Sequence, residues 1–274
     1  MLAQINLTAL ANREALLPGY FTLVGLSGLV VASVTLRLAR RDNADLRHES
    51  RSLMSAYVGA LLGGYMLEGL RLLPAAIRQH SVAPLLHGGR AAYGGLIFAT
   101  LAACAYRYRV RQPLAPFLDR MSLGGGLSFC LVRIGCFKAG CDYGLPTASH
   151  FGIRYPSGSP AALEHFRHGW IACGMPSLPV HPTQLYESVL GLLSAVVAGM
   201  LLRRSVRDGS TFRAWMLLYA AGRFFIEFFR GDASRGVYGS LSSAQIISVA
   251  IWCFYMANTA ARRRGSIQNA AVSP

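Results

Sequence analysis

The sequence predicts an all-α membrane protein: a polytopic bundle of about seven transmembrane helices with a small extracytoplasmic cap. Three observations predict it. Hydrophobic residues make up 53% of the 274-residue chain and charged residues only 14%, where soluble proteins carry about 25%; mean hydropathy is +0.37. The apolar residues gather into runs near the roughly 20 residues that cross a bilayer as a helix. Arginines crowd every second connection between those runs.

The candidate spans cover 20–36, 53–73, 91–106, 114–132, 185–202, 212–229 and 241–260, the third short and the fourth rich in glycine. Residues 1–17 lack the basic start of a signal peptide, and the run after them is too long for a cleaved apolar core, so the first span is expected to stay in the mature protein. The connection after the first span holds Arg37, Arg40, Arg41, Arg47 and Arg51. Arg107, Arg109 and Arg111 follow the third, Arg203, Arg204 and Arg207 the fifth, and Arg262, Arg263 and Arg264 the seventh. The longest alternate connection, 134–184, has only Lys138, Arg154 and Arg167. Positive charge stays in the cytoplasm, which places the N-terminus extracytoplasmic and the C-terminus cytoplasmic. The net charge of +15 is then topological, with anionic lipid heads as its partner and no nucleic acid.

Residues 1–264 read as one integral membrane domain and 265–274 as a disordered cytoplasmic tail. Segment 134–184 carries prolines at 146, 156, 160, 176, 179 and 182. It reads as a loop with short regular pieces, too small for its own core, capping the bundle. Cys104, Cys130 and Cys253 lie within spans as apolar fillers. Cys136, Cys141 and Cys173 fall on the outer side, where an oxidising compartment would let two pair, with no connectivity readable. Their spacing matches neither a CxxC pair nor a standard zinc site, and no metal or cofactor is expected.

Ionisable groups at the mouth of membrane spans point to function, and five clusters stand there. "HGGRAAYGGL" (87–96) sets paired glycines around Tyr93; alone, the glycines read as helix packing. "RIGCFKAGCDYG" (133–144) puts Arg133 just beyond an apolar run. "HPTQLYES" (181–188) brings a loop into the fifth span, with Pro182 suited to a first helical turn. In "GRFFIEFFRGD" (222–232), Arg223, Glu227 and Arg230 fall on one helical stripe, of which a Glu227 salt bridge would account for only one arginine. Glu68 and Arg71 close the second span and read most simply as a pair. Together these suggest a phosphate site beside a proton acceptor, since arginine grips phosphate in two-pronged fashion. The phosphates abundant in a membrane are lipid heads.

Four of these segments, in this order among about seven spans, resemble the prolipoprotein diacylglyceryl transferase family over most of the chain. That resemblance implies transfer of the diacylglyceryl group of phosphatidylglycerol to the lipobox cysteine thiol of a prolipoprotein, delivered by its signal peptide. The products are a thioether and glycerol phosphate. It implies that Arg133, with Gly140 and Gly144 in its motif, holds the phosphatidylglycerol head, and that Arg223, Arg230 and Glu227 complete the charged helix. His181, Gln184, Tyr186 and Glu187 match the His-Pro-x-Gln-Leu-Tyr-Glu segment, and Tyr20 falls where the family often has a tyrosine. The best-studied branch has histidine in place of Tyr93, and asparagine and glutamate in place of Cys136 and Cys141. A tyrosine titrates near pH 10, so thiol activation falls to His181, Glu187 or the thiol-acidifying arginines. Rival readings are a divergent paralogue with another acceptor or lipid binding alone, and a small-solute transporter, which usually shows repeated halves that this chain lacks.

Overall fold

The computed structural model describes residues 2–78, 80, 92–203, 207–232 and 237–272. They are mostly helical: α1 (Leu2–Arg41), α2 (Leu46–Arg78), α3 (Ala92–Arg109), α4 (Leu114–Ala139), α5 (Pro160–Arg167), α6 (Thr183–Leu201) and α7 (Ser210–Ile226). A 3-10 turn (Glu227–Phe229), the antiparallel strands β1 (Val237–Tyr238) and β2 (Leu241–Ser242), and α8 (Ser243–Val272) complete the chain. The helix α8 runs on through most of the stretch read as a disordered tail. His87–Arg90 lie outside the described residues, as do the side chains of Glu68, Arg71 and Tyr93.

Among the described residues, each of the seven apolar stretches falls mainly on a helix, with the 3-10 turn ending the sixth and β2 opening the seventh. Among the described residues, Gly19–Arg41 and Thr183–Leu201 are long and apolar enough to cross a membrane by length and composition. The other stretches carry charges within them, such as Asp119 and Arg120 in α4 or Arg213 and Arg223 in α7, or are short. The distribution of polarity is nonetheless inverted relative to a soluble protein. Leu192, Leu193 and Val196 of α6 and Phe225 of α7 (65% exposed) face outward, while Glu49, Arg107, Asp119, Glu187 and Glu227 are buried. So large an exposed apolar surface is what lipid, rather than water, covers.

The chain forms two compact units, Ala32–Arg120 and Met1–Val31 with Met121–Pro274. In the first, α2 lies against α3 so closely that a Cβ on Gly63 or Gly94 would collide with the other's carbonyl, so that member of the second glycine pair packs helices. A buried ion cluster fastens this unit. Glu49, in the first turn of α2, accepts from Arg107 Nη1 (3.0 Å) and Arg120 Nη2 (2.6 Å), and Arg120 also reaches Asp42 (3.5 Å). Removing one partner of a buried pair strands the others' charge. Glu49→Ala should therefore cost on the order of 3 kcal/mol, read as a lower unfolding midpoint of the purified protein in detergent.

In the second unit, α4 and α6 touch through glycines: a Cβ on Gly191 would sit 2.9 Å from Cys130 N, and one on Gly126 2.8 Å from Ala195 N. Ser188 Oγ donates to Cys130 O at 3.1 Å across the same seam. Residues 140–182 add isolated bridges (Pro146 and Ile153 with Val180) and α5, whose Pro160 sits in its first turn and whose Ser159 accepts from Ala162 N. Their small core of Tyr143, Tyr155, Ala161 and Val180 is completed by Ile153 and by Phe137 of α4, so the segment leans on the helix that carries Arg133.

Candidate active site

Three turns of sequence bring the charges together. Gly140, with φ +67°, ends α4 as a left-handed cap. Asp142 follows at φ 57°, a conformation aspartate tolerates better than most residues. The segment then runs beside two others: Gly144 N donates to His181 O (3.0 Å), Leu145 N to Phe229 O (2.8 Å) and Gly231 N to Tyr143 O (3.1 Å). A Cβ on Gly144 would lie 2.5 Å from His181 O, and one on Gly231 2.5 Å from Gly144 O. Only glycine permits that approach. It sets Asp142 and Arg230 side by side.

Glu187 is the centre, its side chain 0% exposed. Arg133 Nε lies 2.7 Å from Glu187 Oε2, Arg230 Nη1 donates to Oε1 at 3.1 Å, and Arg223 Nη1 stands 3.9 Å from Oε1. Arg223 also pairs with Glu227, one turn on. Arg230 Nε donates to Asp232 Oδ1 at 2.8 Å. Asp142 bridges the two outer guanidiniums, taking Arg133 Nη1 at 2.8 Å and Arg230 Nη2 at 2.7 Å. Burial works against ionising Asp142, yet the Arg133 and Arg230 guanidiniums outweigh it and hold its carboxyl well below the usual carboxylate range. The Arg133 guanidinium lies 4.9 Å from the centre of the Phe129 ring, which meets Tyr219 edge-on.

Arg133, Arg223, Arg230, Glu187 and Glu227 thus meet in one largely buried network. One expectation changes. Arg230 does not share a helical stripe with Arg223 and Glu227: α7 stops at Ile226, tightens into the 3-10 turn, and Arg230 is extended (φ −77°, ψ 137°). Gly231 lets the chain leave the helix to lie on Gly144, and Arg230 reaches Glu187 from there. Gln184 does not face the charges but props the loop, its Nε2 donating to Cys141 O at 2.6 Å, while Thr183 Oγ1 donates to Asp142 O at 2.7 Å. His181 Nδ1 pairs with Tyr186 Oη at 3.2 Å, and both rings pack on Phe229. Tyr20 lies beside Gly135 of α4. The six cysteines are free thiols. Asp142 and Asp232 are the contributors the sequence reading passed over. Their positions inside "CDYG" and "RGD", next to close-approach glycines, were the available signal.

The sequence model of the prolipoprotein diacylglyceryl transferase family matches residues 19–260. The chain belongs to that family. A Clostridium tetani protein named phosphatidylglycerol–prolipoprotein diacylglyceryl transferase is 27% identical over 84% of this chain and 87% of its own length. One from Symbiobacterium thermophilum with the same name is 28% identical over 81% and 82%, and one from Clostridium botulinum strain Hall is 31% identical over 59% of each. Membership makes the chain a transferase of a bacterial membrane family, and its inverted polarity agrees.

Proposed function

We propose that this chain transfers the diacylglyceryl group of phosphatidylglycerol to the lipobox cysteine thiol of prolipoproteins, releasing glycerol phosphate. The names of its relatives support the substrates. The observation that carries the chemistry is the convergence of Arg133, Arg223 and Arg230, from separate segments, on one buried carboxylate.

Three guanidiniums meet four carboxylates here (Asp142, Glu187, Glu227 and Asp232), so a phosphate must displace one. Exposure names it: the Asp142 side chain is 29% exposed, against 0% for Glu187 and 2% for Glu227. Lipid phosphate takes the place of Asp142 between Arg133 and Arg230. The acceptor sulfur then attacks the glyceryl carbon that bears the phosphate ester. The carbon–oxygen bond breaks toward phosphate, and the guanidiniums stabilise charge growing on the departing oxygen. Glu187, sealed among three cations, positions them rather than taking the thiol proton. His181, half-buried, is the better-placed acceptor for that proton among the described candidates. The membrane-side features belong to the same proposal: about seven spans with 134–184 outside, lipid entering from the outer leaflet, and Tyr20, Gly140, Gly144 and Tyr186 around the bound head, with Gln184 holding the loop that carries Asp142.

Complementation tests the proposal. With the host's own transferase depleted, expression of this chain should restore the lipid-dependent mobility shift of a model prolipoprotein. A well-expressed chain that leaves the prolipoprotein unmodified refutes it.

A further inference from the structure

The C-terminal end of α4 closes on itself. Gly140 N donates to Phe137 O and Cys141 N to Cys136 O, both at 3.3 Å, around the left-handed Gly140 (φ +67°). This is the Schellman way of ending a helix, and it commonly brings the side chains of its first and last members into contact. Here those members are Cys136 and Cys141. Their sulfurs lie within 4.8 Å of one another, and Cys141 Sγ stands 3.7 Å from Cys136 O. We propose that Cys136 and Cys141 form an oxidation site, joined in the membrane-embedded protein by a disulfide that staples the turn leading to Asp142. This rests on the outward placement of 134–184 given above.

The geometry is within reach. Disulfides join Cα atoms about 4.4–6.8 Å apart through sulfurs at about 2.05 Å. The direct backbone hydrogen bond keeps Cys136 and Cys141 on that scale, so rotation about their Cα–Cβ bonds closes the gap between sulfurs. The turn is also held still: Gln184 Nε2 donates to Cys141 O (2.6 Å) and Thr183 Oγ1 to Asp142 O (2.7 Å). Thiols fixed as neighbours react with each other ahead of any second chain. Cys136 is buried, but Cys141 is only half-buried and open to a reagent. Disulfides form and persist on the extracytoplasmic side of bacterial membranes. The staple fixes the backbone just before Asp142, whose carboxylate sits between Arg133 and Arg230, and leaves that side chain free to give way to phosphate.

The oxidant is a disulfide, borne by a protein or a small molecule. The Cys141 thiolate attacks one of its sulfurs, and the Cys136 thiolate then attacks Cys141 Sγ in the mixed disulfide. One S–S bond forms in this chain and one breaks in the oxidant. The two protons lost here end on the oxidant's two thiols, which also carry off the electron pair.

Peptide mapping reads the bond directly. Trypsin cuts after Arg133, Lys138 and Arg154 and so separates Ile134–Lys138 from Ala139–Arg154, each with one of the two cysteines. In the full chain taken from membranes without reductant, its free thiols blocked by N-ethylmaleimide in denaturant, the two peptides are expected as one linked species that reductant splits. Reductant, or Cys136→Ser/Cys141→Ser, should lower the unfolding midpoint in detergent by about 5 °C, and reductant should not lower the variant's further. Maleimide on Cys136 and Cys141, a link from either to Cys173, or a midpoint that ignores reductant overturns the proposal. An impermeant maleimide applied to intact spheroplasts should reach the exposed Cys173. Labelled Cys173 with Cys136 and Cys141 unlinked overturns the staple and leaves the outward placement and the transfer function standing. Failure to label Cys173 overturns the outward placement and the staple with it.

Discussion

Arg133→Ala should abolish diacylglyceryl transfer while leaving the protein folded. Arg133 supplies one of the two guanidiniums that face Asp142, and a donor aimed at the departing oxygen is worth about 10²–10³-fold in rate. The fold tolerates its loss because its main partner, Glu187, keeps Arg230 at 3.1 Å. Arg133→Lys should recover little, since a lysine offers a point charge where Arg133 splits its nitrogens between Glu187 and the Asp142 position. The check is a transfer assay with phosphatidylglycerol and a lipobox peptide, run beside a thermal melt. Near-wild-type rates for alanine would remove Arg133 from the chemistry.

Glu187→Ala should do the opposite kind of damage and unfold the site. Arg133, Arg223 and Arg230 would be left buried around a vacancy, and stranding even one buried charge costs about 3–5 kcal/mol. Glu187→Gln keeps the shape and a carbonyl acceptor but loses the negative charge, so it should fall between alanine and wild type. The unfolding midpoint in detergent checks both. Equal midpoints for all three proteins would mean that Glu187 is not the keystone of the network.

Much of this was legible in the sequence because membrane helices write their apolar runs plainly. Among the described residues each predicted run lies mainly on a helix, and the cost of placing charge there singled out Arg133, Glu187, Arg223 and Glu227, which share one network. Arg230 illustrates the limit. A spacing of seven residues reads as two helical turns, but Gly231 permits an exit from the helix that no periodicity announces. Asp142 was hidden for a related reason: its role depends on a left-handed turn and on contacts with residues 133 and 230, far apart in the chain. The thiols of Cys136 and Cys141, five apart, match no linear redox pattern and come together only through that same turn. The buried Glu49–Arg107–Arg120 cluster was missed altogether, because basic residues flanking spans were read as topology rather than as partners.

The central claim is that Arg133 and Arg230 grip a lipid phosphate in the place Asp142 now holds, within a network that Arg223 completes through Glu187 and Glu227. Native mass spectrometry of the wild-type chain and of Arg133→Ala, Arg223→Ala and Arg230→Ala, released from detergent with phosphatidylglycerol, tests it most directly. Retention of one phosphatidylglycerol by the wild type and its loss from each variant is the predicted result; equal retention by all four would contradict it.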